Sequence, residues 1–447
     1  MSDLQTIITF VVFCGVIAAI AFDLIDMAVT AMLGLCVLLV AGIFTGEDVG
    51  VVIHSAGGPL ALLFGGMVVA RTLVPTGIFD HVGTRFLRLT NGSGKRYILG
   101  IFILVAPLCA FLPNATTVIL VAPIIIRVAI ALEVDFVGPM VLTAIISNSA
   151  GLLTLVGDPA TFLVGSSIGL TFNQYLKRVS IGGLLSLVVL VPLMPLIMKD
   201  VWRVRKPIPE ILELKPIQKP LLLVCSLVVL AGMVLLFLFG EYLPVRIVPP
   251  SVSIIAASLA LLIIYGTHVE PVDKVLKDVD WKTLIFLTCL FCLVQALSKT
   301  GILSGMSRNL LTWFGTDLPL VGLAMLAFVS LSSSLIANIP VVAAMLLLVK
   351  GYLVAAQLVP DYAMGAAFTD WPLATLPVFV AMMFGGTLGG NATLIGASAN
   401  VVSAGICAAE GKRITFTTFL RYGIPLTVCQ LLVSALYVFG LFLFVGR

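Results

Sequence analysis

The stretch Ser147-Asn-Ser-Ala-Gly-Leu-Leu-Thr-Leu-Val-Gly-Asp-Pro-Ala-Thr-Phe-Leu-Val-Gly165 lies inside an apolar run that is long enough to cross a bilayer. Its only carboxylate is Asp158. A charge at bilayer depth costs at least ~2.5–3.5 kcal/mol and therefore marks a functional site. Gly157 and Pro159 disfavour a continuous helix. We predict a helix broken at these residues; the alternative is a kinked helix whose second half is capped by Asp158.

The chain repeats this stretch near its C-terminus. Residues 386–405 read GTLGGNATLIGASANVVSAG, and residues 393–397 align with residues 154–158 at an offset of 239. Ala397 stands opposite Asp158, so only the first copy carries an acid. Repeated interruptions of apolar segments are typical of transporters that bind their solute at broken helices.

Composition places the chain in a membrane. Of its 447 residues, 60% are hydrophobic and 10% are charged, whereas soluble proteins have about 25% charged residues. This excludes a soluble enzyme and predicts a multi-pass protein of the cell (inner or plasma) membrane, with the lipid bilayer as its surroundings. The run 7–22 has no basic segment before it and no obvious cleavage site, so we interpret it as the first span.

The apolar runs predict ten spans and two hairpins. The predicted spans are 6–22, 27–44, 58–78, 136–167 (broken at 157–159), 180–198, 221–240, 249–265, 282–298, 373–407 (broken near 396–400) and 422–444. Two further segments, 98–132 and 319–349, are interrupted near Asn114 and Asn338. We prefer a re-entrant hairpin for each; two full spans are the alternative.

The two halves of the chain match. Residues 76–79 align with 300–303, and Asn114 aligns with Asn338, both at an offset of 224. The offset between the two halves rises from 224 at Asn114 to 239 at Thr154, which predicts 15 extra residues in the second half, within 351–372. Five spans plus a hairpin make an odd number of crossings, so the repeats are predicted to be inverted. We expect a first repeat at 1–198, a cytoplasmic linker at 199–220 and a second repeat at 221–447.

Charge supports an orientation. Sixteen of the 25 lysines and arginines fall in four segments that this topology puts on one side, namely 80–97, 199–220, 266–282 and 408–421. That side should be cytoplasmic. Arg71 and Arg127 fall within apolar segments, and we interpret them as structural, snorkelling or paired with carboxylates. The alternative is that they line a path.

The predicted site consists of amides, hydroxyls, one acid and a glycine at the interruptions of the two halves. These residues are Asn114, Thr116, Thr117, Asn148, Thr154, Gly157, Asp158, Thr161, Asn338, Asn391, Thr393, Ser398 and Asn400. They suit a small polyhydroxylated solute or a hard cation rather than a soft metal. Only Asp158 is placed to carry a proton, so we assign proton coupling to it. We predict no resident metal or cofactor: the energy comes from the proton gradient, with sodium as the alternative.

Several other functions are disfavoured. Residues 92–95 read Gly-Ser-Gly-Lys, but the spacing of a P-loop is absent, since position 89 is leucine and position 96 arginine. Association with a separate ATPase subunit is an alternative that the sequence leaves open. An intramembrane aspartyl enzyme would need a second acid, and a C-x-x-C at Cys289 and Cys292 has no second pair. We predict no enzyme activity and no nucleic-acid partner. A passive channel is also left open.

Together these features resemble the ion transporter superfamily, over almost the whole chain. Residues 154–159 and 389–400 are similar to the Gly-Asp-Pro-Pro-Asn and Gly-Gly-Asn-x-Thr-Leu-Ile-Gly-Ala-Ser-Ala-Asn signatures of the arsenite-efflux permeases (ArsB type) and the pink-eyed-dilution-type permeases. The first signature departs at Ala160 and Thr161. Asn114 and Asn338 match the asparagine of the hairpin tips in dicarboxylate carriers, but their neighbours differ.

The resemblance implies a fold, a mechanism and a solute. The fold is an all-α membrane protein with two inverted repeats of about five transmembrane helices, each with one re-entrant hairpin and one broken helix. It implies an often dimeric scaffold and a transport domain that moves as an elevator. The branch implies efflux of arsenite or antimonite in exchange for protons. The alternatives are sodium/proton exchange and transport of a small carboxylate such as citrate or a dicarboxylate.

Overall fold

The structure is a computed structural model that describes residues 3–21, 24–206, 216–364 and 368–445. The α-helices in this part of the chain are α1 (Asp3–Ala21), α2 (Met27–Val40), α3 (Gly46–Leu73), α4 (Ile78–Thr90), α5 (Gly94–Cys109), α6 (Asn114–Ala131), α7 (Val137–Ala150), α8 (Pro159–Ser167), α9 (Phe172–Arg178), α10 (Ser180–Val188), α11 (Leu190–Ile197), α12 (Lys199–Trp202), α13 (Pro220–Phe239), α14 (Pro249–Thr267), α15 (Val272–Lys277), α16 (Trp281–Lys299), α17 (Ile302–Phe314), α18 (Leu318–Leu335), α19 (Asn338–Ala355), α20 (Leu376–Gly389), α21 (Ser398–Ala409) and α22 (Phe416–Val445).

The all-α class is confirmed. Within the described ranges there is no strand beyond one isolated bridge between Ser93 and Arg205. Ten helical stretches are long and apolar enough to cross a membrane. Lipid offers no hydrogen bonds to the backbone, so a helix, which satisfies its own amides, is the form such segments take. The chain is a multi-pass integral membrane protein.

Helices α1, α2, α3, α13, α14 and α16 pack together. Gly65 of α3 lies so close to α14 that a Cβ there would stand 2.5 Å from the Ser253 carbonyl oxygen. Ion pairs tie the ends of these helices: Lys299 lies 2.7 Å from Asp48, and Lys282 lies 2.5 Å from Asp26. The hydrogen bond from Lys282 lowers the pKa of Asp26.

Two helical hairpins, α5–α6 and α18–α19, occupy equivalent places in the two halves. The second helix of each begins on the predicted asparagine, Asn114 or Asn338. The residue before each asparagine has nearly the same backbone conformation: Pro113 has φ −56° and ψ 138°, and Ala337 has φ −51° and ψ 141°. The loop after α6 has five residues and the loop after α19 has twenty, so the predicted 15-residue insertion is confirmed and lies there.

Two helices are broken, as predicted, but the breaks are wider than the sequence indicated. The first covers 151–158, between α7 and α8, and the second covers 390–397, between α20 and α21. The prediction that the second break reaches Asn400 is wrong, because α21 has already begun at Ser398. The physical reason is the extended backbone of the capping residues: Asp158 has φ −140° and Ala397 has φ −148°.

Helices α4 and α17 have 13 residues each and were not predicted. They are too short and too polar on one face for the rule of about 20 apolar residues per span. Each follows a glycine in the left-handed region, Gly77 at φ +75° and Gly301 at φ +79°. The third apolar stretch that could cross a membrane covers residues 56–76, close to the predicted 58–78, and its helix α3 begins earlier, at Gly46.

Candidate functional site

Asp158 lies at the first break and is 2% exposed. It is the N-cap of α8, and its Oδ1 accepts a hydrogen bond of 2.7 Å from the amide of Ala160. A side-chain oxygen at this position satisfies one of the free N–H groups at a helix start. The helix is broken rather than kinked, but Asp158 does cap its second half, as the alternative proposed. The cap uses one carboxylate oxygen and leaves the other for different partners.

The tips of both hairpins meet on that second oxygen. Asn114 Nδ2 donates to Asp158 Oδ2 at 3.1 Å, and Asn338 Nδ2 donates to the same atom at 3.3 Å. The three residues are far apart in sequence and come from both halves of the chain. Asn114 Oδ1 is buried and has no hydrogen-bond partner within the described residues. The point of convergence thus offers one carboxylate oxygen and one unused amide acceptor.

Three helices begin at this point. The first residues of α6 and α19 are the two asparagines, and α8 follows Asp158 directly. The start of a helix carries the equivalent of about half a positive charge. These dipoles stabilise an ionised Asp158, and they offer a place to an anionic solute group when Asp158 is protonated.

A second polar cluster, without any charge, surrounds the second break. Asn148 Nδ2 donates to Asn391 Oδ1 and to Asn400 Oδ1, both at 3.0 Å. Asn391 Nδ2 donates in turn to Ser149 Oγ and to Gln430 Oε1 at 3.0 Å. These amides satisfy one another and are buried. Their mutual bonds tie the two broken helices together across the centre of the molecule.

Three of the predicted threonines donate hydrogen bonds to backbone carbonyl groups. Thr154 donates to the carbonyl of Ala110, and Thr393, its counterpart in the second half, donates to the carbonyl of Ser334. Thr161 donates to the Asp158 carbonyl at 2.6 Å. Each hydroxyl proton is already used, so these side chains hold the breaks in shape.

Four other predicted residues take different positions. Gly157 lies in the break, where an added Cβ would stand 2.8 Å from the Gly151 carbonyl oxygen. Thr117 is fully buried in α6, whereas Thr116 lines a cavity. Ser398 is exposed at the start of α21 and lies outside both clusters.

That cavity has a volume of about 700 Å³ and reaches Ala115 and Thr116, next to the tip residue Asn114. Its wall carries charged residues of α3, α4 and α6 and of the loop after α15: Arg71, Asp80, Arg127, Asp278 and Asp280. The cavity therefore brings charged, polar surface next to the first hairpin tip.

The predicted pairing of Arg71 and Arg127 with carboxylates is present. Arg71 lies 2.8 Å from Glu270 and 2.6 Å from Asp278, and Arg127 lies 3.1 Å from Asp80. Arg71, Arg127 and two of their partners, Asp80 and Asp278, also line the cavity.

Three polar residues were missed by the sequence analysis. Ser149 and Gln430 complete the neutral cluster, and a glutamine inside the apolar run of α22 was the available signal. Lys350 of α19 is 3% exposed, donates to Ser167 Oγ at 2.8 Å and lies 5.3 Å from the centre of the Trp371 ring. A cation at the end of an apolar run was its signal.

Metal chemistry finds little support in the arrangement. Among the described residues, no group of three or more His, Cys, Asp or Glu side chains is placed to hold a metal ion. Cys289 and Cys292 lie on α16 as buried free thiols.

Two hairpin tips that meet a broken helix inside a bundle of apolar helices define a membrane transporter. A family described as "Citrate transporter" (CitMHS) matches residues 17–369, and the chain belongs to this family. An uncharacterized transporter of Synechocystis sp. is 41% identical over 98% of both chains. An uncharacterized transporter of Mycobacterium tuberculosis is 32% identical over 97% of this chain and 98% of its own length.

The human P protein is 28% identical over 99% of this chain, which spans 61% of the P protein's length. This match confirms the pink-eyed-dilution resemblance, while the arsenite-permease resemblance stays a prediction. The crystal structure of the Alcanivorax borkumensis YdaH transporter aligns with a TM-score of 0.49 and 11% identity, over 88% of this chain and 87% of that one.

Proposed function

We propose that this protein is a secondary active transporter that exports arsenite or antimonite in exchange for protons. The observation that carries the proposal is the meeting of two hairpin-tip amides on one oxygen of a buried carboxylate, at 3.1 and 3.3 Å. Arsenous acid is neutral near pH 7 and rich in hydroxyls, so it matches a site of amides with a single removable charge.

The chemistry of the site supports exchange. When Asp158 is ionised, a solute hydroxyl can donate to its Oδ2 in place of a tip amide, and a second hydroxyl can donate to the unused Asn114 Oδ1. A proton on Asp158 removes the negative charge that makes its oxygen a strong acceptor, and so weakens the hold on the solute. Solute and proton therefore compete for one group, and competition for one carrier group is what couples two opposite fluxes.

The proposed motion is an elevator. The hairpins and broken helices carry the site, and the bundle of α3, α14 and α16 would be the fixed partner. The two bodies meet where α3 contacts α8: a Cβ on Gly58 would lie 2.9 Å from the Phe162 ring. Because glycine has no side chain, α3 approaches the Phe162 ring closely here, and no side chain of Gly58 interlocks with α8 to oppose sliding.

A small carboxylate such as citrate is the second candidate. The family's description names citrate, and three helix starts at the site favour an anion. An ionised Asp158 would repel that anion, so it would bind together with a proton. Carboxylate transport would then be symport, whereas arsenite transport would be exchange, and the two candidates differ in the direction of the proton.

The test is a flux assay in proteoliposomes with arsenite, antimonite, citrate and sodium as separate solutes, each with and without a pH gradient. We expect arsenite or antimonite to accumulate only when protons move in the opposite direction. Accumulation of citrate together with protons would replace the first candidate by the second. Sodium-for-proton exchange without either solute, or flux that ignores the pH gradient, would contradict both.

A further inference from the structure

The loop between α4 and α5 forms a small basic cavity that the transport site does not use. Its volume is about 370 Å³, and its lining residues are Asn91, Gly92, Ser93, Arg96, Arg205 and Lys206. Three of these carry positive charge and none carries negative charge. Gly92 and Ser93, the first two residues of the Gly-Ser-Gly-Lys sequence that lacks the spacing of a P-loop, lie in its wall. The three positive charges indicate that the cavity binds an anion.

Two chain segments more than 100 residues apart are held together to form it. The amide of Gly94 donates to the Val204 carbonyl, and the amide of Lys206 donates to the Gly92 carbonyl, both at 2.9 Å. The contact leaves no room for side chains on the loop. A Cβ on Gly92, which has φ +71°, would lie 1.7 Å from the Lys206 carbonyl oxygen. The basic residues are therefore positioned by backbone pairing.

Among the described residues, one of the three basic side chains of this cavity has a carboxylate partner. Lys206 contacts Glu133, but Arg96 and Arg205 have no ion pair with any described residue. Arginine binds phosphate oxygens through two parallel N–H groups and is favoured wherever a phosphate is recognised. Ser93, the N-cap residue of α5, makes no capping hydrogen bond with its side chain, so its hydroxyl is available to a ligand.

The surroundings of the cavity are those of a membrane interface. Lys95 Nζ lies 5.7 Å from the centre of the Trp202 ring, and tryptophan is enriched at the headgroup level of bilayers. Leu89, two residues before the cavity begins, is 67% exposed and would face acyl chains. The cavity lies in the arginine- and lysine-rich segments 80–97 and 199–220, on the side predicted to be cytoplasmic.

We propose that Arg96, Arg205 and Lys206 bind the phosphate group of an anionic phospholipid of the adjacent leaflet. Basic pockets at the cytoplasmic side of transmembrane helices favour such headgroups. A bound lipid would join the α4–α5 loop to the segment after α12, at the base of the first hairpin. The ligand is thus a phosphodiester with acyl chains. The exposed Leu89 beside the cavity can contact acyl chains, which free phosphate lacks.

The test measures binding of a water-soluble short-chain lipid, dihexanoylphosphatidylglycerol, to the purified protein by isothermal titration calorimetry. Dihexanoylphosphatidylcholine serves as the zwitterionic probe and inorganic phosphate as the free anion. We expect the phosphatidylglycerol to bind, the phosphatidylcholine to bind much more weakly, and binding to weaken as salt is raised. Removing two charges in Arg96→Gln/Arg205→Gln should weaken binding by about tenfold or more.

The matched control is Lys199→Gln/Arg203→Gln, which removes two exposed charges from the neighbouring turn outside the cavity. It should bind the lipid as the unaltered protein does. Each variant is checked for a single species by size-exclusion chromatography, and Arg96→Gln alone replaces the double variant if that one is not monodisperse. Unchanged binding in the cavity variant, or displacement of the lipid by an equal concentration of inorganic phosphate, would overturn the proposal.

Discussion

Asp158 is the residue on which coupling depends. Its Oδ1 caps α8 and its Oδ2 receives both hairpin tips. In Asp158→Asn the shape is kept and the amide oxygen can still cap α8, but the amide nitrogen in place of Oδ2 cannot accept from the tips and the side chain can no longer exchange a proton. We expect this variant to lose uphill transport and its dependence on the pH gradient, while slow downhill flux persists. Flux of the transported solute in proteoliposomes, with and without the gradient, measures both.

The control for this variant is Asp317→Asn. Asp317 is likewise an aspartate N-cap, whose Oδ1 accepts from the Leu320 amide at 3.1 Å, but it is exposed at the start of α18. It should transport normally. Gradient-driven accumulation by Asp158→Asn at the unaltered rate would show that the proton is carried by another group.

The two tip asparagines should be equally important. Asn114→Leu and Asn338→Leu each remove one of two similar bonds to the same carboxylate oxygen. A hydrogen bond to a charged group contributes about 1.5–3 kcal/mol, so each variant should slow transport by at least about tenfold. Initial rates of flux are the measurement. Asn309→Leu, an exposed asparagine on α17, is the control, and a normal rate in either tip variant would remove the tips from the site.

At the scale of elements, hydroxyl groups join each hairpin to the broken helix of its own half, and one threonine in each half makes an equivalent contact. Thr154 bonds the Ala110 carbonyl at the end of the first hairpin's outer helix, and Thr393 bonds the Ser334 carbonyl in the second. The two contacts are equivalent by the internal repeat. They make each hairpin and its break a single unit.

We therefore expect Thr154→Val and Thr393→Val to lower the free energy of unfolding by similar amounts, about 1 kcal/mol each. Valine keeps the shape and removes only the hydroxyl. Unfolding in mixed micelles with increasing sodium dodecyl sulfate measures the change. Thr312→Val, which alters an exposed hydroxyl bonded within α17, should have little effect. A large loss from only one of the two variants would contradict the equivalence.

At the scale of the whole molecule, the distribution of charge predicts orientation. Sixteen of the 25 lysines and arginines lie in the four segments of one predicted side. In a background without the eight native cysteines, Arg203→Cys and Lys412→Cys should be protected from an impermeant thiol reagent in intact cells. Tyr362 is 74% exposed in a segment predicted to lie on the opposite side, so Tyr362→Cys should react. Reaction of the first two and protection of the third would invert the topology.

Much of the architecture followed from local sequence. Apolar length predicted seven of the ten helices that are long and apolar enough to cross a membrane, and the other three, α6, α18 and α19, belong to the two predicted hairpins. Gly157 and Pro159 predicted the first break. The rules for bilayer length and for helix interruption act on neighbouring residues. Helices α4 and α17 escaped the same rules, since an amphipathic helix at an interface needs neither length nor uniform apolarity. The division into repeats at 198 and 221 stays a prediction.

The site was predicted less completely. The sequence singled out Asp158, Asn114 and Asn338, because a charge or an interruption in an apolar run is visible locally. It gave equal weight to Thr154, Thr161 and Thr393, whose hydroxyls bond the backbone. A polar side chain either faces a solute or bonds to the backbone, depending on partners tens of residues away. A short apolar segment of sequence does not show those partners.

The amino-acid sequence alone determined that this chain spans a membrane with paired hairpins and broken helices, because hydropathy and helix interruption are properties of short segments. Only the tertiary structure decided that two tips from opposite halves meet on one carboxylate oxygen, and that Asn148, Asn391, Asn400 and Gln430 form a separate neutral cluster. Hydrogen bonds act over about 3 Å, so which of these groups are partners is settled only when the helices pack.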